Sequence, residues 1–471
     1  MQPSIFNLRV PLPERDEVFL INTLTDAQVV VSTEVASLLD RLVDDPGVEP
    51  SAPDEREAIE LLHENGFLVE SRETERRSLD AYFADVKGNR EELSITLLTT
   101  LQCNFACDYC FQGDHGDYNK FAEKMSLETA VRTGDWIERE LDRIRPERLE
   151  LTFFGGEPLL NLPVMYYLAE RLWGASVRRH VALSTRIITN GLLLTSEVVD
   201  RLLPFGLHGI KITLDGDQAT HDRMRPLRGG QGTFERIIEN VRRVAGRVRI
   251  AIGGNFDESS VESYPALLDF LRSQEFADKL GKVNFKPVIR THQEPSKGVF
   301  ALTPVNADGR PLGGTCMTTV GEGAMSTCDS CNFAEDSMNF LREETKRHGF
   351  STPDGVHNGP CHVHKNNAHT IGPDGSLYAC PGFTGELAQS TGHIDDRQDP
   401  ARQDARRRFD ALNPWSNCGD CAFIPVCAGG CVTASHTQLG DMNLPTCFKR
   451  TYESAVIALA HDTVKDLAGV Q

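Results

Sequence analysis

The sequence predicts an α/β fold built on a parallel sheet, and three observations carry that prediction. Between Glu92 and Val288 six strand-like runs alternate with five amphipathic stretches. A cysteine loop, Cys103-x3-Cys107-x2-Cys110, follows the first of those runs, and seven more cysteines fall between Cys361 and Cys447. The first hundred residues hold no cysteine and read as a module of their own.

That first module, residues 1–77, alternates apolar and polar residues over Phe6–Val10, Val18–Ile21 and Gln28–Val31. Two helical patterns follow, Glu34–Leu42 and Arg56–Asn65, and Gly66-Phe-Leu-Val-Glu closes the segment. The order, strands and then helices, is that of a small winged-helix-like α+β domain. By element order it resembles the peptide-recognition domain at the N-terminus of many maturases of ribosomally made peptides, where a leader peptide adds a strand to a sheet edge. A generic cap domain is the alternative. A charged link, Ser71 to Glu92, separates it from the next unit.

In that unit, residues 92–290, the strand-like runs are Leu93–Thr99, Leu149–Phe154, Ala182–Thr189, Gly209–Leu214, Val248–Gly253 and Lys282–Val288. The intervening helical patterns are Leu127–Ile144, Pro163–Trp173, Glu197–Leu203, Thr233–Val244 and Ser263–Glu275. Such alternation implies parallel strands with right-handed crossovers. A doubly wound sheet and a partial barrel share this pattern, and a barrel would carry its chemistry at the C-terminal ends of the strands.

Three thiolates so closely spaced on a strand-to-helix loop can hold three irons of a four-iron cluster, leaving the fourth iron without a protein ligand. An open metal position can chelate a small molecule. A zinc knuckle is the competing reading. The spacing, with aromatic Tyr109 before the last cysteine, resembles the radical S-adenosylmethionine (SAM) enzymes. The resemblance implies a partial (β/α)6 barrel, an open iron that binds the amino and carboxylate groups of SAM, and reductive release of a 5′-deoxyadenosyl radical.

The strand ends add to it. Strand two runs into Gly155-Gly156-Glu157-Pro158, where paired glycines allow close backbone approach to a ligand and a carboxylate can accept hydrogen bonds from an ammonium group. This matches the family's GGEP motif, whose implied role is contact with the SAM amino group. Strand three ends in Thr189-Asn190-Gly191, and strand four in Thr213-Leu-Asp-Gly followed by His221-Asp222 and Arg225. The resemblance assigns the SAM ribose to Thr213 and its carboxylate to Arg225; a surface ion pair is the plainer reading of Arg225.

Residues 291–360 form a bridging segment with little periodicity, rich in Gly, Pro, Ser and Thr, that contains Cys316, Cys328 and Cys331. Beyond it, residues 361–449 carry Cys361-x13-Gly375-x4-Cys380 and Cys418-x2-Cys421-x5-Cys427-x3-Cys431, then Cys447. A zinc ribbon would explain four of these seven. The set resembles the SPASM domain, an extension of radical SAM enzymes that houses auxiliary iron–sulfur clusters. The Pro-Asp-Gly-Ser turn at Gly375 suits a hairpin bringing Cys361 near Cys380. By the resemblance, Cys418, Cys421, Cys427 and Cys447 complete one four-iron cluster, and Cys361, Cys380 and Cys431 hold three corners of another. Cys331, Cys328, Cys316 or a substrate thiol is left for the fourth corner. Residues 450–471 close the chain, with an amphipathic helix from Arg450 to Leu467.

Bulk properties narrow the partners. A net charge of −19 disfavours nucleic-acid phosphates, and no apolar run reaches the length of a membrane span. Met1 to Val10 lacks the features of a signal peptide, which points to the cytoplasm. Thirteen cysteines, ten of them in two ligand-like sets, read as metal sites of a reducing compartment. The resemblance therefore implies an enzyme using SAM, one radical-forming cluster and two auxiliary clusters, with a precursor peptide as substrate and an external donor of the flavodoxin or ferredoxin type. Its expected product is a thioether or carbon–carbon crosslink, and no protein acid or base is assigned. Two alternatives stand beside it. A sulfatase-maturing enzyme forms formylglycine but typically has aspartate after the cysteine equivalent to Cys380, where this chain has Pro381. A non-catalytic electron carrier would not need the GGEP motif.

Overall fold

The computed structural model describes residues 1–45, 47, 53–110, 122–288, 329–353, 356, 359–395 and 399–469. At the N-terminus β1 (Gln2–Pro3) precedes an antiparallel meander of β2 (Asn7–Leu12), β3 (Glu17–Asn22) and β4 (Gln28–Ser32). Helices α1 (Thr33–Asp44) and α2 (Pro53–Glu64) follow, and β5 (Leu68–Val69) returns to pair with β1. The central strand is buried on both faces. Val18 and Leu20 pack on Leu38, Leu39, Leu42 and Phe67, whereas Phe19 and Ile21 join Val10 and Leu12 against the C-terminal helix.

The charged link is a helix, α3 (Arg72–Gly88), and the expected domain boundary at residue 77 falls inside it. Ser71 caps it by accepting from the Thr74 amide. Its apolar stripe is thin, with Phe83 buried and Leu79 and Tyr82 partly so, and charged residues around them hide the period.

The central sheet runs β11-β10-β9-β8-β7-β6, with every neighbouring pair parallel. Its strands are β6 (Glu92–Leu98), β7 (Arg148–Phe154), β8 (Ala182–Thr189), β9 (Leu207–Thr213), β10 (Arg249–Phe256) and β11 (Leu280–Pro287). Helices α4 (Leu127–Ile144), α5 (Leu162–Arg179), α6 (Ser196–Leu202), α7 (Gln218–Met224), α8 (Phe234–Val244) and α9 (Tyr264–Arg272) connect them. The α/β arrangement of parallel strands joined by helices expected from the sequence is thus the one observed.

Along each strand one side is apolar and buried, as in Leu93, Ile95, Leu97, Leu149, Leu151, Phe153, Ile210 and Ile212, and packs under the helices. The other, concave side carries mostly polar residues that stay partly open, among them Thr96, Thr152, Arg186, Lys211, Thr213, Asn255, Asn284 and Lys286. Helix α7 has no counterpart among the expected helices, because its seven residues are too few to show a period.

The bridging segment expected to lack pattern contains the 19-residue helix α10 (Asp329–Arg347). Its buried side includes Glu335, Ser337 and Thr345 beside Ala334 and Leu341, so polarity masks the stripe. Residues 289–328, with Cys316 and Cys328, and the Cys331 side chain lie outside the described residues.

Strand β12 (Ala368–Ile371) then adds to the free side of β6, parallel and in register from Ala368↔Ser94 to Ile371↔Leu97. β13 (Ser376–Tyr378) and β14 (Gly392–His393) extend the sheet antiparallel to nine strands. Gly375, at φ 90°, makes the β12–β13 turn. Helices α11 (Pro400–Asp410), α12 (Ile424–Cys427) and α13 (Val432–Ala434) frame the cysteine-rich loops, and α14 (Lys449–Gly469) packs Ala455, Val456 and Ala460 against the N-terminal sheet. No helix among the described residues is long and apolar enough to cross a membrane.

Candidate active site

The cysteine loop leaves β6 and is gripped by the C-terminal ends of three strands. From β7, the Gly156 amide donates to Thr100 O at 2.9 Å and the Glu157 amide to Gln102 O at 2.8 Å. A Cβ on Gly155 would lie 2.2 Å from Thr100 O, and one on Gly156 2.4 Å from Gln102 O. The two glycines therefore allow backbone to approach the loop's own backbone, where the sequence suggested a ligand.

Glu157 likewise differs from expectation. Its carboxylate is fully buried and accepts from the Leu159 amide (3.0 Å), the Thr189 hydroxyl (2.8 Å) and the Asn190 amide (2.8 Å). Burial raises its pKa and these donors oppose the rise. With three protein donors around it, Glu157 is a latch between β7 and β8, not an open acceptor for an ammonium group. Asn190 carries the latch onward by donating to Asn104 Oδ1 at 2.8 Å.

The third grip comes from the segment after β9. Ala106 N donates to Pro226 O (2.9 Å), Arg228 Nε to Cys103 O (2.9 Å), and Phe105 pairs with Leu227. Helix α7, capped by Asp217, turns the chain so that Arg225 comes back to the loop. There Arg225 Nη1 donates to Tyr109 Oη at 2.6 Å and lies 3.5 Å from Asp215 Oδ2. Tyr109 in turn donates to Asp215 Oδ2, and the Asn255 amide donates to Asp215 Oδ1 at 2.7 Å.

His221 fixes this triad from behind. Its Nδ1 accepts from the Asp215 amide at 3.1 Å. The Thr233 hydroxyl donates to Arg225 O, so it accepts from His221 Nε2–H at 3.1 Å. These partners assign the neutral Nε2–H tautomer. Burial and the charge of Arg225 agree, holding the His221 pKa well below its ordinary value. Burial pushes the Asp215 carboxyl up while Arg225 and Tyr109 pull against it. Arg225 is inside the protein, yet its Nε has no hydrogen-bond acceptor.

Cys103, Cys107 and Cys110 lie close enough to influence one another's ionisation. Burial pushes Cys103 up to about 12 and Cys107 to about 11, with Arg225 lowering the latter. Among the described residues no three His, Cys, Asp or Glu groups converge on a point that would hold a lone metal ion. A four-iron cluster asks for one thiolate per iron instead, and three adjacent thiols facing a guanidinium with an orphaned Nε fit such a cluster with an anionic ligand on its open corner. Thr213 ends β9 half-buried on the concave side.

The seven C-terminal cysteines sort into two groups. Cys418, Cys421, Cys427 and Cys447 lie together: Cys427 feels the charge of the other three, and Cys418 that of Cys421 and Cys447. Cys361, Cys380 and Cys431 form the second group. Gly429 and Gly430, both at positive φ, close the long gap before Cys447: Thr446 N donates to Gly429 O (2.8 Å), and a Cβ on Gly430 would lie 2.0 Å from Thr446 Oγ1. The Cys380 thiol also meets the Thr433 hydroxyl at 3.3 Å. Asp215, Asn190, His221 and Arg228 were not picked out as site residues from sequence. Only the return of α7 brings three of them to the loop, although the Thr-Asn-Gly turn does flag Asn190.

Residues 97–259 match the family described as the radical SAM superfamily. The chain is 28% identical over 188 residues to the AdoMet-dependent heme synthase of Methanosarcina barkeri, covering 40% of this chain and 47% of that protein. It is 24% identical over 188 residues to the sporulation killing factor maturation protein SkfB of Bacillus subtilis, covering 39% of each. The chain thus spans less than half the length of these curated relatives. The solved structure of native anSMEcpe with bound AdoMet shares the fold, with a TM-score of 0.56 at 16% identity over 80% of this chain and 99% of that one. The segment 97–259 is thus similar to the radical SAM superfamily, and the parallel six-stranded core around it has the fold of that solved structure.

Proposed function

We propose that the protein is a radical SAM maturase of a ribosomally made peptide, forming a thioether or carbon–carbon crosslink. The carrying observation is the sorting of ten cysteines into separate groups of three, three and four, one of them beside the Tyr109–Asp215–Arg225 triad. Three clusters in one chain suit an oxidation that must dispose of electrons, and SkfB, a maturation protein by name, supports a peptide substrate. The N-terminal meander adds support: among the described strands β4 pairs only with β3, leaving an edge on which a leader peptide could form a further strand.

In this reading Cys103, Cys107 and Cys110 hold the radical-forming cluster, and Arg225 offers its unengaged Nε to the SAM carboxylate. When bound, SAM and the cluster supply a carbon-centred radical that removes a hydrogen atom from the peptide. Tyr109 and Asp215 orient Arg225, and Gly155, Gly156 and Glu157 hold the loop at the barrel mouth. Thr213 faces the ribose. Residues 361–449 act as a SPASM domain: Cys418, Cys421, Cys427 and Cys447 complete one auxiliary cluster, and Cys361, Cys380 and Cys431 hold three corners of the other. A flavodoxin- or ferredoxin-type donor supplies the initiating electron.

Anaerobically reconstituted protein should bind about twelve irons, four to each of three clusters. Replacing Cys103, Cys107 and Cys110 together by alanine should abolish 5′-deoxyadenosine formation and leave about eight irons. Retained cleavage would move the chemistry elsewhere, and no cleavage by the unaltered protein would favour an electron carrier. Mass spectrometry of candidate peptides expressed with the enzyme should show loss of two hydrogens per crosslink; an aldehyde would favour the formylglycine reaction instead.

A further inference from the structure

The concave side of the barrel is electrically lopsided. On the β6–β8 half its charges are matched: Arg186 lies 3.2 Å from Glu150, and Arg148 3.8 Å from Glu92. On the β9–β11 half Lys211 and Lys286 have neither a hydrogen bond nor an ion pair among the described residues.

Lys211 points across the intervening strand β10, and Lys286 stands exposed on β11 beyond it. Lys211 shares the concave face with Thr213, and its side chain lies over Gly253, where an added Cβ would come within 2.4 Å of Cε and 3.1 Å of Nζ. Gly253 pairs with Thr213 on one side and Asn284 on the other, while Lys286 pairs with Asn255. The glycine thus opens a channel that Lys211 fills, carrying its ammonium toward the row of Thr213 and Asn284. The two lysines sense each other: burial and the charge of Lys286 lower Lys211 to about 8. Lys286 also reaches the field of Cys431, in the three-cysteine group.

Lys211 is half-buried and Lys286 exposed, and two like charges that sense each other repel unless something negative joins them. Lysine is a compact charge with three rotatable donors and suits a carboxylate approached from varied directions. We propose that Lys211 and Lys286 form an anion site on the polar face of the sheet that holds a carboxylate of the substrate, from an acidic side chain or a chain terminus. Lys211 is two residues before Thr213, about 6.6 Å along the strand, so a group held there sits just below the mouth where SAM would act. The peptide identity of that carboxylate rests on the maturase reading; the anion site does not.

The test is competitive acetylation of the reconstituted full chain with trace acetic anhydride at pH 8, read at Lys211 by mass spectrometry. Three probes separate the sources: N-acetylglutamic acid α-amide carries only a side-chain carboxylate, N-acetylglutamine only a terminal one, and N-acetylglutamine amide neither. At saturation one or both carboxylates should slow Lys211 acetylation about tenfold, as expected for charge-assisted hydrogen bonds, and the neutral amide should not. Lys286→Met should remove the protection and Lys286→Arg should keep it. Equal protection by the neutral amide, or none by either carboxylate, would overturn the site. Protection in a protein that forms no 5′-deoxyadenosine would leave the anion site standing and remove the maturase reading.

Discussion

Asp215 is the joint between the cysteine loop and the barrel. Its carboxylate is wholly buried and takes the Tyr109 hydroxyl, the Arg225 guanidinium and the Asn255 amide. Removing one partner of a buried charge pair leaves the other uncompensated, at a cost of about 3–5 kcal/mol. Asp215→Asn should therefore speed hydrogen exchange at the Asn255 amide by the corresponding factor and weaken SAM binding through a misplaced Arg225. Lys211 offers a second measurement. Its ordinary value is 10.5 and its folded value about 8, so between the two the unfolded chain holds a proton that the folded chain has released. Stability of the wild type relative to Lys211→Met should then rise as pH increases through that interval, and urea unfolding at successive pH values reads it. Tyr109 was marked in the sequence by its place in the cysteine motif, and Arg225 only by the family resemblance, through its separation from Thr213. Asp215 was not, since one carboxylate in Thr-Leu-Asp-Gly acquires its role only when α7 folds Arg225 and His221 back beside it. The contacts of Glu157 were hidden for a similar reason: its partners Thr189 and Asn190 arrive from the next strand.

At the level of elements, the sheet strands were legible because one buried side and one polar side give a clean two-residue period, as in Leu149, Leu151 and Phe153 against Glu150 and Thr152. Helices α3 and α10 were not. Each buries charged or hydroxyl side chains, Glu75 in one and Glu335 and Thr345 in the other, so neither shows a continuous apolar stripe. Yet α3 ties the two ends of the chain together. Phe83 stacks on Trp415 at 3.8 Å and 14° between planes, and the Tyr82 hydroxyl donates to Pro425 O at 2.9 Å. Phe83→Ala should destabilise this seam by about 3–5 kcal/mol, the usual cost of emptying a buried aromatic site. Urea unfolding followed by tryptophan fluorescence should register it, because the lost ring is the one stacked on Trp415.

Across the whole molecule, the two groups of C-terminal cysteines interleave, Cys431 falling between Cys427 and Cys447, so their order alone does not say which of them meet. Two features had no signature. Four residues at Ala368–Ile371 cannot announce which strand they will join, and the seat of α14 against Val10 and Phe19 depends on a module more than four hundred residues earlier. The first of these matters for how electrons would travel. Because β12 is bonded in register to β6, the strand that delivers the cysteine loop, a cluster held by Cys361 and Cys380 on either side of the β12–β13 hairpin would share one hydrogen-bonded ladder with that loop. Tunnelling spans would then be set when the chain folds, and turnover would need no swinging domain to carry charge between donor and acceptor.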